Sequence, residues 1–165
     1  SAALNTKQCA MSHDSCRGSS QFNYAGQNLA IRWASNINID DSIRLFIDMW
    51  ASEHAFVRVS DILSLQGVTG GNGQDIGHFT AMVNEKMTHV GCAMSLFEDG
   101  TWRVALFACN YAFNNFLGRR VYQNGAVASQ CITGRDSVFG NLCTINEPID
   151  VNDWNRFSVM SVLEN

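Results

Sequence analysis

Residues 89–111 read HVGCAMSLFEDGTWRVALFACNY and contain two runs of strand-forming residues. The first run covers 90–97 and the second covers 102–111, and in both runs consecutive side chains point to opposite faces. Asp99 and Gly100 lie between the runs, and an aspartate followed by glycine is a common turn signal in hairpins. The stretch therefore predicts an antiparallel β-hairpin.

The chain contains six cysteines, an even number, in a small acidic sequence with one proline. This favours disulfides made in an oxidising compartment over zinc coordination, because the sequence has no CxxC pair. Cys92 and Cys109 lie on the two arms of the hairpin. They face each other if the connection is the four residues 99–102, or a two-residue turn with a bulge, and either would allow a bond. Cys131 and Cys143 bracket a short loop, whose closure by a disulfide would contribute about 3 kcal/mol.

Helical patterns precede the hairpin. Apolar residues with helical spacing follow the acidic residues Asp40 and Asp41, which predicts an amphipathic helix over 41–54. A second helical pattern covers about 74–86. Four glycines crowd into 66–74, which predicts a mobile loop. Residues 1–10 have the pattern of the end of a helix.

The composition limits the classes of protein. The chain has 165 residues, 46% of them hydrophobic and 16% charged, which is enough apolar material for one folded domain. Its formal charge of −4 gives no basic surface for DNA or RNA, so we expect no nucleic-acid partner. The longest apolar run, 104–109, is too short to span a bilayer. We expect a soluble protein that is a monomer.

Three segments together carry a family resemblance: Gly77-His78-Phe79-Thr80, His89-Val90-Gly91-Cys92-Ala93 and Ala108-Cys109-Asn110-Tyr111. They resemble the signature motifs of the CAP superfamily, which includes cysteine-rich secretory proteins, antigen 5 and PR-1. The insect antigen 5-related branch is the most similar, since the likeness starts at Cys9 and continues to about Asp153.

The resemblance implies an α/β fold, a three-layer α-β-α sandwich with disulfides. It divides the chain into a CAP domain at 1–130 and a C-terminal extension at 131–165 that packs on the same domain. Family members carry a further N-terminal stretch with the first helix, so we expect such a segment upstream of this chain. The resemblance implies that Cys9 and Cys16 form disulfides to cysteines in that segment.

In the family, two histidines and two acidic residues converge in a central cleft, and they correspond here to His13, Gln27, Glu53 and His78. Gln27 replaces a glutamate. His13 and His78 could supply two imidazole nitrogens to a zinc ion, with Glu53 or water completing the coordination. The alternative is that both histidines only hold segments together by hydrogen bonds. No cofactor is required, and zinc is the candidate metal.

For function, the resemblance implies a secreted, non-enzymatic binder of small hydrophobic ligands such as fatty acids or eicosanoids, with saliva, venom and allergen proteins as relatives. Candidate wall residues are Phe46, Met49 and Trp50, and the alternative that ordinary core packing favours is that they only fill the core. The alternative function is a protein–protein interaction with a host receptor or the haemostatic system. Arg17-Gly18-Ser19 lacks the aspartate of an Arg-Gly-Asp motif, so we interpret it as a solvated loop. A metal-dependent hydrolase is a minor alternative, because no recognised nucleophile motif occurs.

Overall fold

The computed structural model describes Ala2 and residues 9–153. In this part of the chain, three antiparallel strands form one sheet in the order β1-β3-β2, accompanied by four helical segments. The strands are β1 (Gly26–Ala34), β2 (Val90–Asp99) and β3 (Trp102–Tyr111); the helices are α1 (Ile39–Ser52), a 3-10 helix (Glu53–Phe56), α2 (Val59–Leu63) and α3 (Gly77–Met82).

The predicted hairpin is confirmed as β2 and β3. Asp99 pairs with Trp102, and the same register places Cys92 opposite Cys109. The pairing is unbroken up to Asp99 and Trp102, so residues 99–102 form the turn, only Gly100 and Thr101 are unpaired, and the turn has no bulge. Gly100 has a φ of +61°, in the left-handed region that favours glycine. A disulfide joins Cys92 to Cys109 with an S–S distance of 2.05 Å, as predicted.

One face of the sheet carries the main hydrophobic core. Phe46 and Trp50 of α1 stack on Phe107 of β3, with ring centroids 5.9 and 5.6 Å apart. Ala81 of α3 joins the same cluster, so α1 and α3 form one layer against the sheet. These contacts explain why the apolar positions of α1 recur with helical spacing.

The other face of the sheet also carries a helical residue. Ala2 is helical and buried, and it packs against Leu29 of β1 and Ala108 of β3. Helical residues on both faces give the α-β-α layering that we expect. The rest of the predicted helix end at 1–10 lies largely outside the described residues.

Both predicted helices differ in extent from the observed ones. α1 starts two residues earlier than predicted, because the side chain of Asn38 accepts a hydrogen bond from the backbone of Asp41 and caps the first turn. α3 covers only Gly77–Met82 within the predicted 74–86. Its flanking residues bond to other segments instead: Asp75 pairs with Thr69, and the Glu85 amide donates to Val121.

The glycine-rich stretch forms a small turn with its own hydrogen bonds. The Gly70 amide donates to the Gln74 carbonyl at 2.8 Å, and the Ile76 amide donates to Val68 at 2.8 Å. A Cβ atom at Gly71 would lie 1.9 Å from the guanidinium of Arg58, so only glycine lets that side chain cross the turn.

Residues 112–153 are mostly irregular and pack on the same body. The predicted disulfide between Cys131 and Cys143 is present, with an S–S distance of 2.03 Å. The buried ammonium of Lys86 donates to the carbonyls of Asp150 and Asp153, which ties the end of this segment to the core. In the described part of the chain no helix has the length and apolar character needed to cross a membrane.

Candidate functional site

His78 is held by the carboxylate of Glu53. Glu53 is the first residue of the 3-10 helix after α1, and its side chain is buried against α3. Its Oε1 lies 2.6 Å from His78 Nδ1, and its Oε2 accepts the backbone N–H of Phe79 at 2.9 Å. The indole of Trp50 stacks on the imidazole with centroids 5.9 Å apart. Glu53 therefore orients His78 and also satisfies a donor near the start of α3.

His13 is held by an amide instead of a carboxylate. His13 Nδ1 lies 2.9 Å from Gln27 Oε1. The Gln27 Nε2 donates at 2.8 Å to the carboxylate of Asp14 and at 2.8 Å to Asn110 Oδ1. Gln27 lies in β1 directly opposite Asn110 in β3, so the register of the sheet brings these two side chains together.

The hydrogen-bond partners determine which tautomer each imidazole adopts in its neutral form. Because the Nε2 of Gln27 is occupied as a donor, its Oε1 can only accept, and His13 must carry its proton on Nδ1. The carboxylate of Glu53 likewise accepts from the Nδ1 of His78. In both histidines the Nε2 is left with its lone pair available to a metal ion or a hydrogen-bond donor.

His13 and His78 line one cleft of about 360 Å³. Its other lining residues come from several segments: Arg17, Gln27, Asn28, Val68, Asp75, Gly77, Ala81, Asn114 and Asn115. Within the described residues, no group of three or more histidine, cysteine, aspartate or glutamate side chains could hold a metal ion. A metal ion in this cleft would thus have at most two such side chains as ligands and would need water or a bound molecule to complete its coordination.

Asparagines join the cleft to the core. Asn28 donates to the carbonyl of His78 and to the hydroxyl of Tyr111, both at 3.1 Å. Burial raises the pKa of Tyr111 to about 12, so this hydroxyl stays neutral. Asn115 donates to Gly77, and its Oδ1 is the one buried side-chain oxygen or nitrogen without a hydrogen-bond partner among the described residues.

Some predicted site residues lie elsewhere. Phe46 and Trp50 are almost fully buried in the main core, where they stack on Phe107, and they form no part of the cleft wall. Met49 is 49% exposed on the outer side of α1. The alternative interpretation of Phe46 and Trp50 as core thus agrees with their packing.

Arg17, the first residue of the Arg17-Gly18-Ser19 segment, is not a solvated loop residue as the sequence suggests. Arg17 donates to the carbonyls of Asp14 at 2.7 Å and Ala25 at 3.1 Å. These bonds hold the guanidinium against the segment that carries His13. The arginine is thus partly committed to the protein itself, which weakens the receptor-motif interpretation.

Sequence reasoning missed two polar partners of the site. Asp14 and Asn110 fix the Gln27 amide, and neither was a candidate. Asn110 could have been found from the hairpin, because it follows Cys109 and lies at the end of the central strand. Asp14 directly follows His13, but its role depends on a contact with β1 that no local pattern signals. Cys9 and Cys16 are both exposed, and their predicted bonds to an upstream segment stay a prediction.

A second cavity lies beside the start of β2. Its volume is about 560 Å³, larger than that of the histidine cleft. Small apolar side chains and strand backbone form much of its wall, including Ala25, Gly91 and Ala93. The rings of Phe22 and His89 lie 5.4 Å apart at its edge.

Known proteins resemble the chain in sequence and in fold. The model of the CAP family, described as the cysteine-rich secretory protein family, matches residues 1–111. Venom allergen-1 of Aedes albopictus is 32% identical over 157 residues, which cover 93% of this chain and 60% of that protein. Antigen 5 like allergen Cul n 1 of Culicoides nubeculosus is 41% identical over 93 residues, which cover 56% of this chain and 42% of that allergen. The chain thus spans about 60% of the length of the first of these relatives.

Solved structures share the fold. A crystal structure of NaASP2 with Zn2+ matches with a TM-score of 0.68 and 23% identity, over 87% of this chain and 70% of that one. This likeness confirms the predicted α/β fold, and the sequence relatives confirm the predicted similarity to antigen 5 and venom allergens. Because the family model covers most of the chain, the protein belongs to the CAP family, the cysteine-rich secretory proteins.

Proposed function

We propose that the protein is an extracellular, non-catalytic binding protein, and that its histidine cleft binds zinc through His13 and His78. The single observation that carries the proposal is the pair of imidazoles that line one cleft, each with its Nδ1 engaged by an acceptor. Histidine ligands of zinc typically donate their other ring N–H in this way, which fixes the ring and raises its basicity as a ligand.

The donor set fits zinc as an open, weak site. Imidazole nitrogen is a preferred zinc ligand, and two protein ligands leave positions for water or for a bound molecule. The neutral amide of Gln27 stands beside His13 where a carboxylate would add negative charge, so we expect weaker binding than at a site with four protein ligands. The crystal structure of NaASP2 with Zn2+, which shares this fold, supports testing zinc first.

Zinc titration calorimetry tests the proposal. The wild-type protein should give binding heat at neutral pH, and the His13→Ala, His78→Ala double variant should give none. Binding should weaken in acid, because an imidazole must be unprotonated to bind a metal ion. His54→Ala is the matched control, since His54 is exposed and lies outside the cleft. Equal heat from the double variant and the wild type would show that the two histidines have only a structural role.

The absence of catalysis is part of the proposal, and the cleft lining argues against covalent catalysis by a serine, threonine or cysteine. None of the residues that line the cleft is a serine, threonine or cysteine that could act as a nucleophile. His78 is paired with Glu53 at 2.6 Å, an arrangement that also suits a positioned ligand. Hydrolysis that persists through purification and is lost with the cleft histidines would overturn this part.

A second candidate function is the uptake of a small hydrophobic ligand, and the cavity beside β2 favours it. Its volume of about 560 Å³ falls in the range of small-molecule sites. Each methylene buried there would contribute about 0.8 kcal/mol. This cavity is a better candidate for an apolar chain than Phe46 and Trp50, which are packed in the core.

Gly91→Val tests this second candidate. A Cβ atom at Gly91 meets no other atom within 4 Å, so a valine side chain fits the strand and projects into open space. The variant should bind a fluorescent fatty acid such as cis-parinaric acid about tenfold more weakly, because it fills part of the cavity. Gly67→Val is the control, since a Cβ there makes only an ordinary 3.9 Å contact and Gly67 lies outside this cavity. Unchanged binding in Gly91→Val would remove the cavity as the ligand site.

A further inference from the structure

The C-terminal segment carries a loop whose apolar side chains point outward. The disulfide between Cys131 and Cys143 closes it, with the two Cα atoms 5.3 Å apart. We call residues 131–145 the apolar loop. Its large apolar side chains are more exposed than most others of the chain, with exposed fractions of 71% for Ile132, 78% for Val138, 65% for Phe139, 61% for Leu142 and 95% for Ile145.

The tip of the apolar loop satisfies its own backbone. The Asp136 amide donates to the Leu142 carbonyl at 2.9 Å, and the Leu142 amide donates to the Phe139 carbonyl at 2.7 Å. The carboxylate of Asp136 accepts the amides of Val138 and Phe139 at 2.9 and 2.8 Å. Val138, Phe139 and Leu142 therefore project from a turn that makes several of its own hydrogen bonds.

The base of the apolar loop is also fixed. Arg135 pairs with Cys143 in an antiparallel bridge, and the Thr144 amide donates to the Gly134 carbonyl at 3.1 Å. The carboxylate of Glu147 accepts the amides of Ile132 and Thr133. The loop thus presents its apolar side chains without first having to order its backbone, which lowers the entropic cost of binding.

We infer that the apolar loop inserts its tip into the surface of an electrically neutral, zwitterionic lipid bilayer. Exposed apolar patches of this kind mark protein or membrane contacts. Four amides of the tip, those of Asp136, Val138, Phe139 and Leu142, already have acceptors within the loop, which lowers the cost of moving them out of water.

Two observations favour lipid over a protein partner. Protein interfaces use about one hydrogen bond per 100–200 Å², whereas the tip engages its own amides and offers mainly apolar side chains for recognition. The tip residues also line neither of the two cavities described above, and a bilayer needs no complementary cavity in the protein that binds it.

The charge of the apolar loop indicates which kind of bilayer it binds. The apolar loop contains one arginine, Arg135, whose guanidinium donates to the Val127 carbonyl, and one acidic residue, Asp136, so it has no net positive charge, and the whole chain has a formal charge of −4. Anionic lipids attract basic segments, so they give this surface no advantage. The hydrogen bonds from Phe139 and Val138 hold the pKa of Asp136 below its ordinary value, so its charge keeps that residue at the level of the headgroups while the apolar tip goes deeper.

Flotation with phosphatidylcholine vesicles tests the inference. The intact wild-type protein should float with the vesicles, and the Val138→Ser, Phe139→Ser double variant should partition at least about tenfold more weakly, because binding scales with buried apolar area. The matched control is Val59→Ser, Leu63→Ser, which removes two exposed apolar side chains from α2 and should leave partitioning unchanged. Circular dichroism and the mass of the intact disulfide verify that each variant is folded.

Three results would overturn the inference. The first is a wild-type protein that stays unbound to phosphatidylcholine vesicles, which would leave a protein partner as the explanation of the loop. The second is binding that appears only when anionic phosphatidylserine is added. The third is a loop variant that floats as well as the control variant.

Discussion

Trp50→Ala lowers the free energy of unfolding by about 3–5 kcal/mol, the range for removal of a large aromatic side chain from a core. Trp50 is 2% exposed, and its indole stacks on Phe107 on one side and is close to parallel with the imidazole of His78 on the other. The alanine variant leaves a cavity between α1 and the sheet, which the surrounding backbone cannot fill without moving.

Chemical unfolding followed by far-ultraviolet circular dichroism measures this loss. Trp102→Ala is the matched control, because the same side chain is removed at a position that is 52% exposed. Trp102→Ala should lower the free energy of unfolding far less than Trp50→Ala, because a partly exposed side chain contributes less buried surface. Similar losses in the two variants would contradict the assignment of Trp50 to the core and would favour its role as a wall of a ligand channel.

Glu53→Ala has the second large effect, on both stability and the proposed zinc site. The variant leaves the Phe79 amide without its acceptor, which costs about 1–3 kcal/mol when the donor is buried. It also releases His78 from its 2.6 Å contact, and loss of such an orienting partner lowers metal affinity by about 10- to 100-fold.

The two effects of Glu53→Ala are measured separately. Unfolding by denaturant gives the stability, and zinc calorimetry at a temperature where the variant is fully folded gives the affinity. Glu98→Ala removes the same charge from an exposed position of β2 and is the control for net charge. A stability loss with unchanged zinc affinity would mean that Glu53 supports only the start of α3 and that His78 needs no partner to bind.

The hairpin was predictable because its information is local. Side chains along 90–97 and 102–111 alternate between the two faces of the sheet, which predicts two strands. Asp99 and Gly100 predict the turn between them. The sequence left the length of the connection open, and the observed register places Cys92 opposite Cys109. Helix ends were less accurate, because residues such as Asp75 and Glu85 bond to distant segments that local periodicity does not reveal.

The candidate site was predictable only through the family resemblance. His13, Gln27, Glu53 and His78 lie far apart in sequence, and no spacing rule brings them together. The structure pairs them as His13 with Gln27 and His78 with Glu53. Periodicity could not separate a core aromatic from a cavity wall, because both lie on the apolar face of α1; only packing on Phe107 distinguishes them.

The order of strands in the sheet has a consequence for synthesis of the chain. The central strand, β3, is the last of the three in sequence, while β1 is the first and pairs only with β3. During translation β1 leaves the ribosome before β3 has been synthesised. Its backbone groups can therefore pair with β3 only after the hairpin has formed. Closure of that long loop is entropically slow compared with hairpin formation. Until then, the apolar residues and unpaired backbone of β1 are exposed in the nascent chain, where they can bind chaperones or aggregate.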